Sequence, residues 1–171
     1  MHRRSLMRLF AALPALPVLN ACARTDAANG GADFMPLEKS KAEWKTLLPP
    51  ASYAVLFQED TERPFSSPLN NEKHKGTFVC AACYLPLFES AHKFDSGTGW
   101  PSFTQPIEGH IRKKRDFQLI VPRTEYHCAR CGGHQGHVFD DGPPPRGERW
   151  CNNGVALAFV PDGTPLPELR T

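Results

Sequence analysis

The chain has 171 residues, enough for one domain with a core of its own. Lys+Arg 20 against Asp+Glu 18 leaves a net charge of +2, and no basic face with interleaved aromatics is visible, so nucleic acid is not an expected partner. Gly 13 and Pro 17, with few long helical periodicities, point to a loop-rich β domain.

The first segment, "MHRRSLMRLFAALPALPVLNACA", has a basic start, a short apolar stretch and small residues after it. That is the layout of an export signal, and the apolar run is too short to span a bilayer comfortably. Arg3 and Arg4 followed by Ser5, Leu6, Met7 and Arg8 suit a twin-arginine signal. The small residues around Ala23 suit cleavage there, whereas Leu19-Asn20-Ala21-Cys22 has the form of a lipobox, with an unusual Asn20, that would lipidate Cys22 and tether the chain to a membrane. Either reading removes residues 1–23 from the fold and predicts an exported, periplasmic bacterial protein. Residues 24–38 are small and polar and read as a linker, 39–165 as the domain, and 166–171 as a tail.

Within the domain a short helix is expected over residues 40–48. Ser40 caps it, Glu43 completes a capping box, and Trp44, Leu47 and Leu48 share a face. Pro49-Pro50 ends it, and 51–58 is a second helical or extended piece. "TERPFSSPLNNEKHKG" is loop by composition. From Gly76 onward the text is β-like, with short candidate strands at 77–80, 117–121, 125–128, 137–140 and 155–160. "DDGPPPRGE" is a proline-stiffened loop leading to Cys151.

Two Cys-x-x-Cys units, Cys80/Cys83 and Cys128/Cys131, can supply four thiolates to one closed tetrahedral zinc. An oxidising compartment could instead pair them as disulfides, and a redox-active Cys-x-x-Cys is a third reading, although neither unit sits in a βαβ pattern. His127 and His134 adjoin the second unit but are not needed as ligands if four cysteines hold the metal.

With Cys22 in the export segment, Cys151 is the remaining thiol. A free thiol is only a few per cent thiolate at pH 7, and a nearby cation raises that share. Arg149 would fall on the same face as Cys151 in an extended segment. "GGHQGHVFDDG" offers His134 and His137, with Asp140 or Asp141 to orient an imidazole, and "SGTGWPSF" places Trp100 in a Gly-rich turn. Read from residue types alone, the same set suits either a thiol-based reaction site or an inert buried cysteine among structural residues.

The segments "GTFVCAACYLPLF", "KFDSGTGWPSF", "CARCGGHQGHVFDDGPPPRGERWCNN" and "TERPFSS" resemble the methionine-R-sulfoxide reductase B family over residues 41–163. The resemblance implies a mainly β fold of two antiparallel sheets with a short N-terminal helix and a structural zinc on Cys80, Cys83, Cys128 and Cys131. It implies Cys151 as the nucleophile, Trp100 on the substrate's S-methyl group, and His134 and His137 at the sulfoxide oxygen. Arg149, Asp141 and Asn153 would tune and hold the site. The expected reaction is reduction of methionine-R-sulfoxide in peptides or proteins through a Cys151 sulfenic acid.

Three positions depart from the family pattern. Thr98 stands where many members have a resolving cysteine, so an outside thiol, thioredoxin-like or small, is the expected reductant. Asn152 replaces an aliphatic residue, facing the surface or altering the packing, and Gly154 replaces a common serine. A monomer is expected. Two other functions compete: a zinc-stabilised binding module with a buried, unreactive Cys151, and a thiol–disulfide exchanger using the Cys-x-x-Cys pairs.

Overall fold

The computed structural model describes residues 34–116 and 123–171. The export signal and the candidate strand at 117–121 lie outside the described residues.

Two short helices open the domain, α1 (Lys41–Leu47) and α2 (Pro50–Gln58). The capping box forms as expected: Ser40 Oγ accepts from the Glu43 N–H, and the Ser40 N–H donates to Glu43 at 2.8 Å. Trp44 and Leu48 turn inward, but Leu47 is 44% exposed. The one-turn step from Trp44 to Leu48 keeps those two on a single stripe, and Leu47 falls at its solvent edge. The "TERPFSSPLNNEKHKG" segment is irregular apart from a 3-10 turn at Pro68–Asn71.

Nine strands follow among the described residues: β1 (Gly76–Cys80), β2 (Pro86–Glu89), β3 (Lys93–Phe94), β4 (Ser102–Phe103), β5 (Ile111–Asp116), β6 (Arg123–Cys128), β7 (His134–Phe139), β8 (Arg149–Asn152) and β9 (Leu157–Pro161). One sheet has the order β2-β1-β9, the other β3-β4-β8-β7-β6-β5, and every pairing is antiparallel. The architecture is therefore the mainly β, two-sheet fold expected. Some boundaries differ. The strand expected at 155–160 starts only at Leu157, because residues Gly154–Ala156 wind as a 3-10 turn. The strand expected at 137–140 begins three residues earlier, at His134. Strand β5, "IRKKRD", is not among the expected strands; it forms an edge of the larger sheet, where its long cationic side chains stay in water.

The core lies between the sheets and is aromatic. Phe88 of β2 stacks on Phe103 of β4 at 4.2 Å between ring centroids, Phe78 of β1 meets Phe103 edge-on at 5.0 Å, and Tyr126 of β6 meets Trp150 of β8 at 5.1 Å. These rings are almost fully buried. Residues flanking the domain also pack on it. Leu37 donates its N–H to the Arg130 carbonyl, and Arg170 donates its N–H to that of Cys83.

Candidate active site and metal centre

The two Cys-x-x-Cys turns close on one another at one end of the molecule. Cys80 Sγ lies 3.7 Å from Cys131 Sγ, and Cys83 Sγ 3.5 Å from Cys128 Sγ. All four sulfurs fall within 4.8 Å of one another, and all four cysteines are buried. A disulfide needs sulfurs about 2.05 Å apart. Tetrahedral zinc with bonds of about 2.3 Å spaces them about 3.8 Å apart. The spacing therefore fits a four-thiolate metal centre and not two disulfides. Burial also removes the access that thiol–disulfide exchange requires.

Cys151 sits on β8 between β4 and β7, opposite Ser102 on one side and His137 on the other. Gly136 makes that approach feasible, since a Cβ there would fall 1.9 Å from the Cys151 carbonyl oxygen. Alternation along β8 turns Arg149 and Cys151 to one face and the deeply buried Trp150 and Asn152 to the other. Cys151 is half-buried and lines a cavity of about 110 Å³ together with Thr61, Trp100, Arg123, His137, Phe139 and Asn153. A cavity that small admits one side chain. A larger hollow of about 710 Å³, beside Trp150 and Lys113, does not include Cys151.

Burial pushes the Cys151 thiol above its ordinary pKa, and the Arg149 charge and hydrogen bonds from Arg149 and Thr98 offset only part of that rise. The cation is where the sequence places it, but desolvation outweighs it, so the resting group is a thiol. Arg149 is held by a two-point ion pair to Asp141 at 2.8 and 3.0 Å and lies over the Phe139 ring at 4.4 Å.

The SelR domain family matches residues 48–161 of this chain. Peptide methionine sulfoxide reductase MsrB of Bradyrhizobium diazoefficiens is 52% identical over 124 residues, spanning 72% of this chain and 89% of that protein. The protein of the same name from Methanosarcina barkeri is 52% identical over 124 residues, spanning 72% and 87%, and that from Agrobacterium fabrum 49% identical over 126 residues, spanning 73% and 93%. The chain belongs to the SelR, or methionine sulfoxide reductase B, family.

In this SelR domain the expected site residues take distinct places. Cys151, Trp100, His137 and Asn153 share the cavity. His134 is 2% exposed and stands behind His137, with ring centroids 5.5 Å apart. Asp141 serves Arg149 and not an imidazole. The carboxylates that orient the histidines come from elsewhere: Asp116 Oδ2 lies 2.9 Å from His137 Nε2, and Glu125 Oε1 lies 2.7 Å from His134 Nδ1. Burial lowers the pKa of both imidazoles below the usual histidine range, against the opposing pull of these carboxylates.

Sequence reading missed Asp116, Glu125 and Glu62. Glu62 accepts from the backbone N–H groups of Gly154 and Val155, its carbonyl accepts from Trp100 Nε1 at 3.1 Å, and its own N–H donates to Asn153 Oδ1 at 3.1 Å. It thereby ties Trp100 and Asn153 to the segment that follows Cys151. Gly154 belongs to the same contact, because a Cβ there would fall 1.9 Å from Ser67 Oγ. A buried strand histidine signals that some carboxylate must face it, but which one depends on strand register.

Proposed function

We propose that this protein is a peptide-methionine (R)-S-oxide reductase in which Cys151 attacks the sulfoxide sulfur. The observation that carries the reading is the placement of Cys151, with Arg149 and Thr98 against its sulfur, in a one-side-chain cavity walled by Trp100 and His137. A methionine sulfoxide side chain offers a methyl group to Trp100 and a polar oxygen to His137 and Asn153. A site that is apolar on one side and polar on the other accepts one sulfur epimer, and the family resemblance supports R.

The resting Cys151 is a thiol and the resting His137 a neutral imidazole. The proton the nucleophile loses is therefore equivalent to the one the sulfoxide oxygen gains, with His137 as carrier. The Cys151 sulfur bonds to the sulfoxide sulfur; the protonated oxygen then passes from that sulfur to Cys151, the sulfur–sulfur bond breaks, and methionine leaves as a thioether with Cys151 as a sulfenic acid. Cys151 is oxidised by two electrons and the sulfoxide reduced by two. His134, held by Glu125, and Arg149, held by Asp141, act through His137 and Cys151.

Among the described residues the other cysteines are gathered at the metal centre, and Thr98, beside Cys151, carries a hydroxyl and not a thiol. We therefore assign the return to thiol to an outside reductant, a thioredoxin-like protein or a small thiol. Zinc on Cys80, Cys83, Cys128 and Cys131 holds the fold and takes no part in the chemistry. The export reading of residues 1–23 places this monomer in the periplasm, soluble or tethered through Cys22, with 24–38 as linker, 39–165 as domain and 166–171 as tail.

The test supplies the zinc-loaded, reduced chain with dabsylated methionine-R-sulfoxide or the S epimer and dithiothreitol. Turnover of R only, absent in Cys151→Ser, supports the proposal, as does a dimedone adduct on Cys151 after one turnover. A folded zinc protein that turns over neither epimer overturns it and leaves the binding module.

A further inference from the structure

Asn152 and Gln135 are polar residues with no exposed surface at all. Tyr126 and Cys80 beside them are equally buried. The four form one chain of hydrogen bonds. The Tyr126 hydroxyl donates to Asn152 Oδ1 at 2.8 Å, Asn152 Nδ2 donates to Gln135 Oε1 at 3.3 Å, and Gln135 Nε2 donates to Cys80 Sγ at 3.4 Å.

The direction of the chain is determined by its ends. Asn152 Nδ2 also donates to the Asn153 carbonyl at 2.8 Å. Turning that amide over would bring its oxygen against two acceptors, so the assigned orientation is the only one that satisfies its neighbours. Every donor then points toward Cys80. A neutral thiol is a weak acceptor, whereas a metal-bound thiolate is a strong one. The chain thus fits a Cys80 that carries the negative charge of a metal centre.

The other end of the chain reaches the nucleophile's strand. The Tyr126 hydroxyl lies 3.1 Å from the Cys151 carbonyl oxygen. The Gln135 carbonyl accepts both the backbone N–H of Asn153 at 2.8 Å and its Nδ2 at 3.0 Å. Gln135 therefore grips Asn153, which lines the cavity, with its backbone, while its side chain reaches the metal ligand.

We propose that Gln135 and Asn152 are positioning residues that couple the four-cysteine metal centre to the strand bearing Cys151, so that disturbing either end is felt at the other. This rests on the reductase reading for its catalytic end only. Partners of metal ligands matter to affinity on a scale of about 10–100-fold. The relay extends that influence one residue further, to Asn152, which reaches the sulfurs only through Gln135.

The test compares full-length wild type, Gln135→Leu, Asn152→Ile and the double variant, each zinc-loaded. Zinc release to a chromogenic chelator and alkylation of Cys151 by iodoacetamide across pH are the readouts. Gln135→Leu should release zinc about tenfold faster, and Asn152→Ile about threefold faster despite its distance from the sulfurs. The double variant should fall clearly short of their product, because the two act through one bond. Gln135→Leu should also shift the alkylation profile of Cys151.

Zinc release from Asn152→Ile at the wild-type rate, or strictly multiplicative effects, would overturn the relay. If a single variant fails to fold, the double variant, which leaves neither amide of the pair unmatched, still decides: release and alkylation both at wild-type rates reject the proposal. Wild type that binds no zinc rejects the relay as well. Wild type that binds zinc but reduces no sulfoxide removes the reductase reading alone, and the release rates still judge the coupling.

Discussion

Strands β6 and β7 connect two regions built on different principles. At one end, Cys128 and Cys131 meet Cys80 and Cys83 in a centre made from two tight turns. At the other, Arg123, His137 and Phe139 face a cavity whose remaining walls come from β8, from the turn carrying Trp100 and from the loop carrying Thr61. The metal end is local twice over: each Cys-x-x-Cys presents both of its sulfurs by its own geometry, and a single contact between turns completes it. The reaction end is non-local throughout. Arg149 and Thr98 act on the Cys151 sulfur, Arg149 is held by Asp141, and His137 by Asp116. The first kind of site tolerates drift in the sheet, whereas the second depends on register.

That contrast can be broken most forcefully at the metal end. Structural zinc contributes about 10–16 kcal/mol of apparent binding energy in small peptides, comparable with the whole stability of a domain at about 5–15 kcal/mol. Removing the metal with a strong chelator, or Cys128→Ser, should abolish the cooperative thermal melt seen by circular dichroism. An unchanged melting temperature would show that the four cysteines hold nothing the fold needs.

At the reaction end, changes should cost activity and leave the melt intact. Cys151→Ser should lower turnover of methionine-R-sulfoxide by at least about a thousandfold, since a missing nucleophile has no substitute. Melting within a degree or two of wild type would separate this loss from unfolding. His137→Asn should lower kcat by about a hundredfold or more, the usual scale for a positioned proton carrier. Steady-state kinetics with KM little changed is the expected result.

Smaller effects sharpen the electrostatic picture. Arg149→Met removes the cation that offsets burial at Cys151, so the thiol's pKa should rise further. Alkylation near pH 7 should slow by about tenfold, the scale of one charge-assisted hydrogen bond. A faster reaction would mean that Arg149 shields the sulfur and does not activate it. The folded pKa values of His134 and His137 lie below the unfolded histidine value of about 6.5. Below that value the unfolded chain binds more protons, so stability is fully present above about pH 6.5 and is lost as pH falls through the folded values. Melts at pH 5 and pH 7 should show a modestly lower temperature at pH 5, and Asn at both histidine positions should shrink that difference.

Several features of this protein were legible residue by residue. The capping box at Ser40 and Glu43 forms as written, because a helix start depends on neighbours three residues apart. The four-cysteine centre was legible because its spacing is its geometry. Strand alternation correctly placed Arg149 beside Cys151. The same alternation sends Asn152 inward beside Trp150, which rules out the surface-facing alternative for that residue.

Other features depended on which strands lie side by side. Asp116 and Glu125 became the partners of His137 and His134 only because β5, β6 and β7 are adjacent in the sheet. Glu62 reached Trp100 from 38 residues away along the chain, and Asn153 and the turn after it from more than 90. The Cys151 thiol was expected to be acidified by its arginine and is instead raised, because desolvation is a property of the packed interior and not of any neighbouring residue. Residue types and their spacing determined which groups could do chemistry here. The tertiary structure alone decided their partners and their protonation states, because both depend on distances across strands and on how much water the fold excludes.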